Sequence, residues 1–175
     1  METQAVIQDD FLPIHDYNVI YDAMTRPDFD WYYNSSTLYG IDYNNDLSDR
    51  GQFVHGFYTN NNRQVSPRFQ LVKPILDKLG ATTVFRVKAN LQLRTEYIEQ
   101  SGWHTDGYDN CITSIYYIND NDGVTELEDG SYIDSVANRM VSFPSSMKHQ
   151  GSTCTNSKTR IVINFNYHGT EQTSH

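Results

Sequence analysis

Two histidines and a carboxylate in the second half of the chain have the side-chain types needed to hold a metal ion. His104 and Asp106 stand two positions apart in Trp103-His104-Thr105-Asp106-Gly107. In extended backbone successive side chains alternate faces, so the two point the same way, about 7 Å apart along the chain. A distant third ligand, His149 in Met147-Lys148-His149-Gln150-Gly151, would complete two histidines and one carboxylate on one face of an ion. The opposite positions then stay open to substrates and dioxygen, which suits non-haem Fe(II). The same ligands could hold zinc with one open site, so ligand identity alone does not choose the metal.

Arg160 narrows the choice. It lies eleven positions beyond His149 (160 − 149 = 11), in Thr159-Arg160-Ile161-Val162-Ile163-Asn164-Phe165, whose β-branched and aromatic character reads as a strand. A guanidinium inside an apolar strand is costly unless it meets an anion, and its planar fork fits a carboxylate at two points. A buried anionic ligand is the economical explanation.

Strands and helices must hold these groups in place. Residues 84 to 94 alternate, with Phe85, Val87, Ala89, Leu91 and Leu93 on one face and Arg86, Lys88, Asn90, Gln92 and Arg94 on the other. The apolar face meets helices or core; the polar face meets solvent or lines a cavity. By the same parity, an inward Tyr117 brings Thr113 and Ile115 with it, and an inward Arg160 brings Val162, Asn164 and Asn166. One helix is expected over about residues 13 to 25, with Pro13 in the first turn and Ile14, Tyr17, Ile20, Tyr21 and Met24 as its stripe. A second has Ser66 as cap, Pro67 in the first helical position, Phe69, Val72, Leu76 and Leu79 on one face, and Gly80 at its end. Both should brace a sheet from outside. A short strand is expected around residues 5 to 7. Residues 27 to 52 read as a long irregular segment, with a short strand near Trp31-Tyr32-Tyr33 and a role as a substrate-facing lid.

The order HxD, distal His, then Arg resembles the Fe(II)- and 2-oxoglutarate-dependent oxygenases, and more closely their prolyl-hydroxylase-like branch. Ile112 to Asn119 is similar to that branch's strand after the HxD. Asp122-Gly123-Val124-Thr125-Glu126-Leu127 looks like its GGxTxF turn, and Asn138 to Ser145 like its strand before the distal histidine. The similarity spans roughly residues 84 to 167. Asp122 replaces the first glycine of the turn, and no tryptophan stands near Asn166, where some relatives place an aromatic. Both departures concern the rim and the substrate pocket. The resemblance implies a mainly β protein with flanking helices, a cupin-like double-stranded β-helix or jelly roll. It implies that His104, Asp106 and His149 hold Fe(II), and that Arg160 and Tyr117 take the far carboxylate of 2-oxoglutarate. Asn90 and Asn164 become further candidates for binding the cosubstrate. A core aromatic is the structural alternative for Tyr117, and a solvated face for Asn90. The implied reaction is hydroxylation of a substrate C–H bond with release of succinate and carbon dioxide, with ascorbate as a reductant. Peptidyl proline is the favoured substrate, with other peptides or small molecules open. A cupin-like metal hydrolase and a non-catalytic jelly-roll binding protein are the alternatives from other classes.

The whole chain fits this scale. Its 175 residues make one domain, 1–175, with the core at 84–167 and residues 1–83 bracing the sheet. A formal net charge of −9 and a pI near 4.9 disfavour nucleic-acid and anionic-membrane partners, since phosphate binding leans on Lys and Arg. The start, Met1-Glu2-Thr3-Gln4, lacks a basic, apolar leader, and no stretch approaches a membrane span, so a cytoplasmic location is expected. Two cysteines, Cys111 and Cys154, fit a reducing compartment. His15, His55, His168 and His175 read as structural or terminal, with His168 the one substitute for His149. Lys148 should face solvent, and residues 120 to 122 form a turn.

Overall fold

The two longest strands organise the molecule. The computed structural model describes residues 4–37, 50–61 and 63–169. Within them β5 (Ala81–Leu93) and β11 (Thr159–Gly169) pair antiparallel from Thr159 opposite Leu93 to Gly169 opposite Ala81. β6 (Ile112–Tyr117) pairs with the other side of β11, and β9 (Met140–Pro144) with β6. β1 (Val6–Gln8) and the strands β3 (Gln52–Thr59) and β2 (Tyr32–Asn34) extend the sheet to the order β1-β9-β6-β11-β5-β3-β2, with β4 (Gln64–Val65) on β3. A second sheet has the order β10-β7-β8, formed by β10 (His149–Gly151), β7 (Val124–Leu127) and β8 (Tyr132–Asp134). Bridges from Gln100 to Ser152 and from His104 to His149 add the segment after β5 to the small sheet. From β5 onward the chain passes between large and small sheets in the sequence of the expected double-stranded β-helix.

β11 is buried on both faces, which explains its mixed composition. Ile161, Ile163, Phe165 and Tyr167 face the larger core, together with Val87, Ala89, Tyr116 and Ile118. Helical residues Ile20, Met24, Val72, Ile75, Leu76 and Leu79 close that core from outside. Each such side chain contributes roughly 1.5–3 kcal/mol when fully buried. The opposite face, with Val162, meets Ile115, Tyr117, Leu127, Ile133, Val141 and Phe143 between the sheets.

The helices differ from expectation in detail. α1 spans Ile14–Thr25, and Pro13 precedes it rather than opening it. Ile20 and Met24 are buried, but Ile14 is exposed and Tyr21 is borderline, because at about 100° per residue they lie about 120° and 100° around the helix from Ile20. The expected second helix is broken in two: a 3-10 turn over Phe69–Val72, then α2 over Lys73–Lys78. Pro74 explains the break. It has no N–H to give the carbonyl of Gln70, so the bonding pattern must restart around it. Ser66 and Pro67 precede the helical turn, whose cap position is Arg68; Ser66 Oγ accepts from the Arg68 amide at 3.0 Å, and Gly80 follows the helix at φ +64°. β1 is an exposed edge strand one residue later than expected. β2 falls on the expected Trp31-Tyr32-Tyr33 region; residues 38–49 of the expected lid lie outside the described residues. His55 is structural, bonded to Asp30 O and Ser66 Oγ.

Candidate metal and cosubstrate site

The small sheet brings the two histidines together through their own backbones. The His104 amide donates to the His149 carbonyl at 3.0 Å, and His149 returns the bond at 2.9 Å. Their rings lie 4.5 Å apart. Asp106 follows on a loop rather than on the extended strand expected, yet the two-residue spacing still works: one ligand atom each from His104, Asp106 and His149 lies within 4.8 Å of the others.

The site is prepared for a cation. Nδ1 of His104 donates to the Gly102 carbonyl at 3.0 Å, and Nδ1 of His149 faces the Met147 carbonyl at 3.5 Å. A carbonyl can only accept, so these contacts place the protons on Nδ1 and leave both Nε2 lone pairs for a metal. His149 Nε2 is buried and has no hydrogen-bond partner. Burial also lowers the His149 pKa, Asp106 opposing, so its neutral, ligating form is favoured. For Asp106, burial would raise the carboxyl pKa. Arg86, His149 and the Asn166 hydrogen bond outweigh burial and hold it down at about 2.

A cavity of about 950 Å³ opens beside these ligands. Its other end is Arg160, almost wholly buried. The guanidinium donates from Nε to Ser135 Oγ at 2.9 Å and from Nη2 to Thr125 Oγ1 at 2.9 Å and the Val124 carbonyl at 3.3 Å. Burial weakens its hold on its proton, Tyr117 opposing. Among the described residues no carboxylate pairs with it. Gly123 makes room: a Cβ there would stand 2.5 Å from Arg160 Cδ and 2.7 Å from the Thr153 carbonyl.

The polar face of β5 lines the cavity with Arg86, Lys88, Asn90 and Gln92, which settles the choice between solvent and cavity. Arg94, at the strand's end, is exposed. The carbonyl oxygens of Asn90, Gln92 and Asn164 are buried without partners, and all three residues line the cavity. Tyr117 requires a correction. It points inward as expected, but it is not among the lining residues. Its hydroxyl donates to Thr125 Oγ1 at 2.8 Å, so Thr125 is the hydroxyl that faces the cavity and Tyr117 supports it from behind. Reading the sequence also missed Arg86. Its Nη2 meets Asp106 Oδ1 at 2.7 Å, and the unbroken polar alternation 86–92 was the available signal. His168 bonds to the Asn110 carbonyl and takes no part in the ligand cluster.

Residues 93–168 match the sequence profile of the 2OG-Fe(II) oxygenase superfamily. The match takes in 76 of the chain's 175 residues. No curated protein matches the chain by sequence. Solved structures share its fold. A 2OG-Fe(II) oxygenase family oxidoreductase from Burkholderia pseudomallei aligns with TM-score 0.66 at 12% identity, covering 94% of this chain and 84% of that one. A prolyl-4-hydroxylase from Pseudomonas putida gives 0.61 at 16%, covering 94% and 92%. A prolyl hydroxylase from Trichoplax adhaerens, in complex with a hypoxia inducible factor oxygen degradation domain peptide fragment, gives 0.64 at 14%, covering 94% and 83%. The match supports a 2-oxoglutarate-dependent dioxygenase, and similarity to this superfamily implies Fe(II) and 2-oxoglutarate. The residues fit both: a two-histidine, one-carboxylate donor set with an orphaned imidazole nitrogen, and a buried guanidinium that meets no anion among the described residues. No helix among the described residues is long and apolar enough to cross a membrane.

Proposed function

We propose that this oxygenase hydroxylates a C–H bond of a peptide substrate, peptidyl proline above other classes, using Fe(II) and 2-oxoglutarate and releasing succinate and carbon dioxide. The observation that carries the reading is the pairing, across one cavity, of the ligand cluster with a buried arginine that lacks a carboxylate. His104, Asp106 and His149 would hold the metal. Arg160 would take the far carboxylate of the cosubstrate through Nη1, with Thr125 beside it and Tyr117 fixing Thr125. Asn90 and Asn164 offer amides to the cosubstrate or its waters. Fe(II) with 2-oxoglutarate and dioxygen supplies the oxidising chemistry; the chain's share is orientation and exclusion of water.

Two features support a peptide. Trp103, Tyr58 and Tyr108 line the cavity with aromatic surface suited to an apolar ring, and Gln52, Asn61 and Gln64 offer amides to a peptide backbone. A prolyl hydroxylase of the same fold is seen with a peptide fragment bound. The reading takes residues 1–175 as one domain in the cytoplasm, where Cys111 and Cys154, both free, stay reduced. The test is anaerobic visible absorption with Fe(II), before and after 2-oxoglutarate, in wild type and Arg160→Ala. A chelate charge-transfer band in wild type that needs far more 2-oxoglutarate in the variant supports the assignment; Fe(II) binding with no band in either defeats it. Proline-containing peptides that stimulate 2-oxoglutarate consumption and gain one oxygen by mass would establish the substrate class.

A further inference from the structure

Asp106 is the ligand with the least backbone support. His104 and His149 are locked together by reciprocal bonds, whereas from residue 105 to 109 no backbone–backbone hydrogen bond is formed among the described residues. The loop also carries two left-handed turns, at Gly107 (φ +76°) and Asn110 (φ +54°). A carboxylate on such a loop needs side chains to fix its direction.

Two central strands provide them. Arg86 on β5 and Asn166 on β11 are cross-strand partners. Arg86 Nη2 reaches Asp106 Oδ1 at 2.7 Å, and Asn166 Nδ2 donates to Asp106 Oδ2 at 2.9 Å. Arg86 Nε donates to Asn166 Oδ1 at 3.0 Å, which closes a ring of three side chains. Asn166 is itself held by Thr113 Oγ1 at 3.1 Å. The guanidinium also lies 5.5 Å from the ring centre of Tyr108, on the same loop, and Tyr108 stacks on Phe85. Both carboxylate oxygens therefore have a fixed donor, and the pair is buried, with side-chain exposures of 11% for Arg86 and 5% for Asp106.

We propose that Arg86 is a positioning residue, which together with Asn166 sets the orientation in which the Asp106 carboxylate meets a metal held by His104 and His149. The inference rests on the metal reading of those three residues. It can be told apart from a simple charge effect by sign. A cation beside a metal site repels the metal, so as a bare charge Arg86 would weaken binding and its removal would tighten it. As a positioning residue it strengthens binding, and removing such outer contacts typically costs 10–100-fold in metal affinity.

The experiment titrates the metal-free protein with Co(II) at fixed pH without oxygen, following visible absorption, in wild type, Arg86→Met, Arg86→Lys and His149→Ala. The expected result is a dissociation constant raised about 10–100-fold in Arg86→Met, a changed absorption envelope at saturation, and partial recovery in Arg86→Lys. Co(II) bound by Arg86→Met as tightly as by wild type, or tighter, overturns the proposal. Should Arg86→Met fail to fold, Asn166→Ser removes the other hold on the same carboxylate and carries the same two outcomes. If wild type itself takes up no Co(II), the metal reading fails; if wild type binds, His149→Ala does not, and Arg86→Met matches wild type, this inference alone falls.

Discussion

The cavity has a buried arginine at each end, and the two are in opposite electrostatic states. Arg86 has its carboxylate within the protein, at 2.7 Å. Arg160 has hydroxyls and a carbonyl around it and, among the described residues, no anion. Both project from strands whose opposite faces are packed against the helices. A charge placed this way must be neutralised from the cavity side. At one end the chain supplies the neutralising group; at the other, on the proposed reading, the cosubstrate would bring it. The pairing state of a buried cation thus separates a residue that builds the site from one that waits for substrate.

The largest effects should come from the ligands between the two ends. Replacing His104, Asp106 or His149 with Ala should reduce Fe(II)-dependent 2-oxoglutarate consumption to background, as read by succinate release. The ends should then part in stability. Arg86→Met leaves Asp106 as a buried, unpaired charge and should destabilise the metal-free protein by up to about 3–5 kcal/mol, whereas Arg160→Met removes a cation that has no anion, at the cost of its bonds to Ser135 and Thr125, and should lower the unfolding midpoint in urea by less. Equal losses would erase the distinction. In cosubstrate binding the order reverses: Arg160→Ala should weaken 2-oxoglutarate about 10–100-fold, the worth of a charge-assisted pair of about 1.5–3 kcal/mol, with Co(II) affinity unchanged by calorimetry. The smallest effect tests the Tyr117 correction. Thr125→Val should weaken 2-oxoglutarate more than Tyr117→Phe, which should cost about 1 kcal/mol of stability for one lost hydrogen bond and little affinity. A larger affinity loss in Tyr117→Phe would restore that residue to direct contact.

What the sequence made legible follows from periodicity and charge cost. The alternation along 84–94 and the apolar run around Arg160 gave the two long strands, and the expense of a buried guanidinium drew attention to Arg160. The fold and the oxygenase class follow from those same stretches and their resemblance. Arg86 escaped notice because its partner lies on a loop whose path depends on contacts twenty positions away in sequence. Tyr117 was placed on the correct face, but parity tells a side chain's direction and not what stands between it and a cavity; Thr125, from the other sheet, does. The second helix breaks at Pro74, whose missing N–H leaves no trace in the apolar spacing.

Because the His104 and His149 backbones already bond each other in both directions, an ion clasped by their side chains would close a loop that is closed without it, and would add little to the order of the chain. Unlike a zinc finger, whose folding waits on its ion, this domain should survive chelation. Loading would then be reversible: EDTA should silence the enzyme while leaving its circular dichroism intact, and added Fe(II) should revive it without refolding.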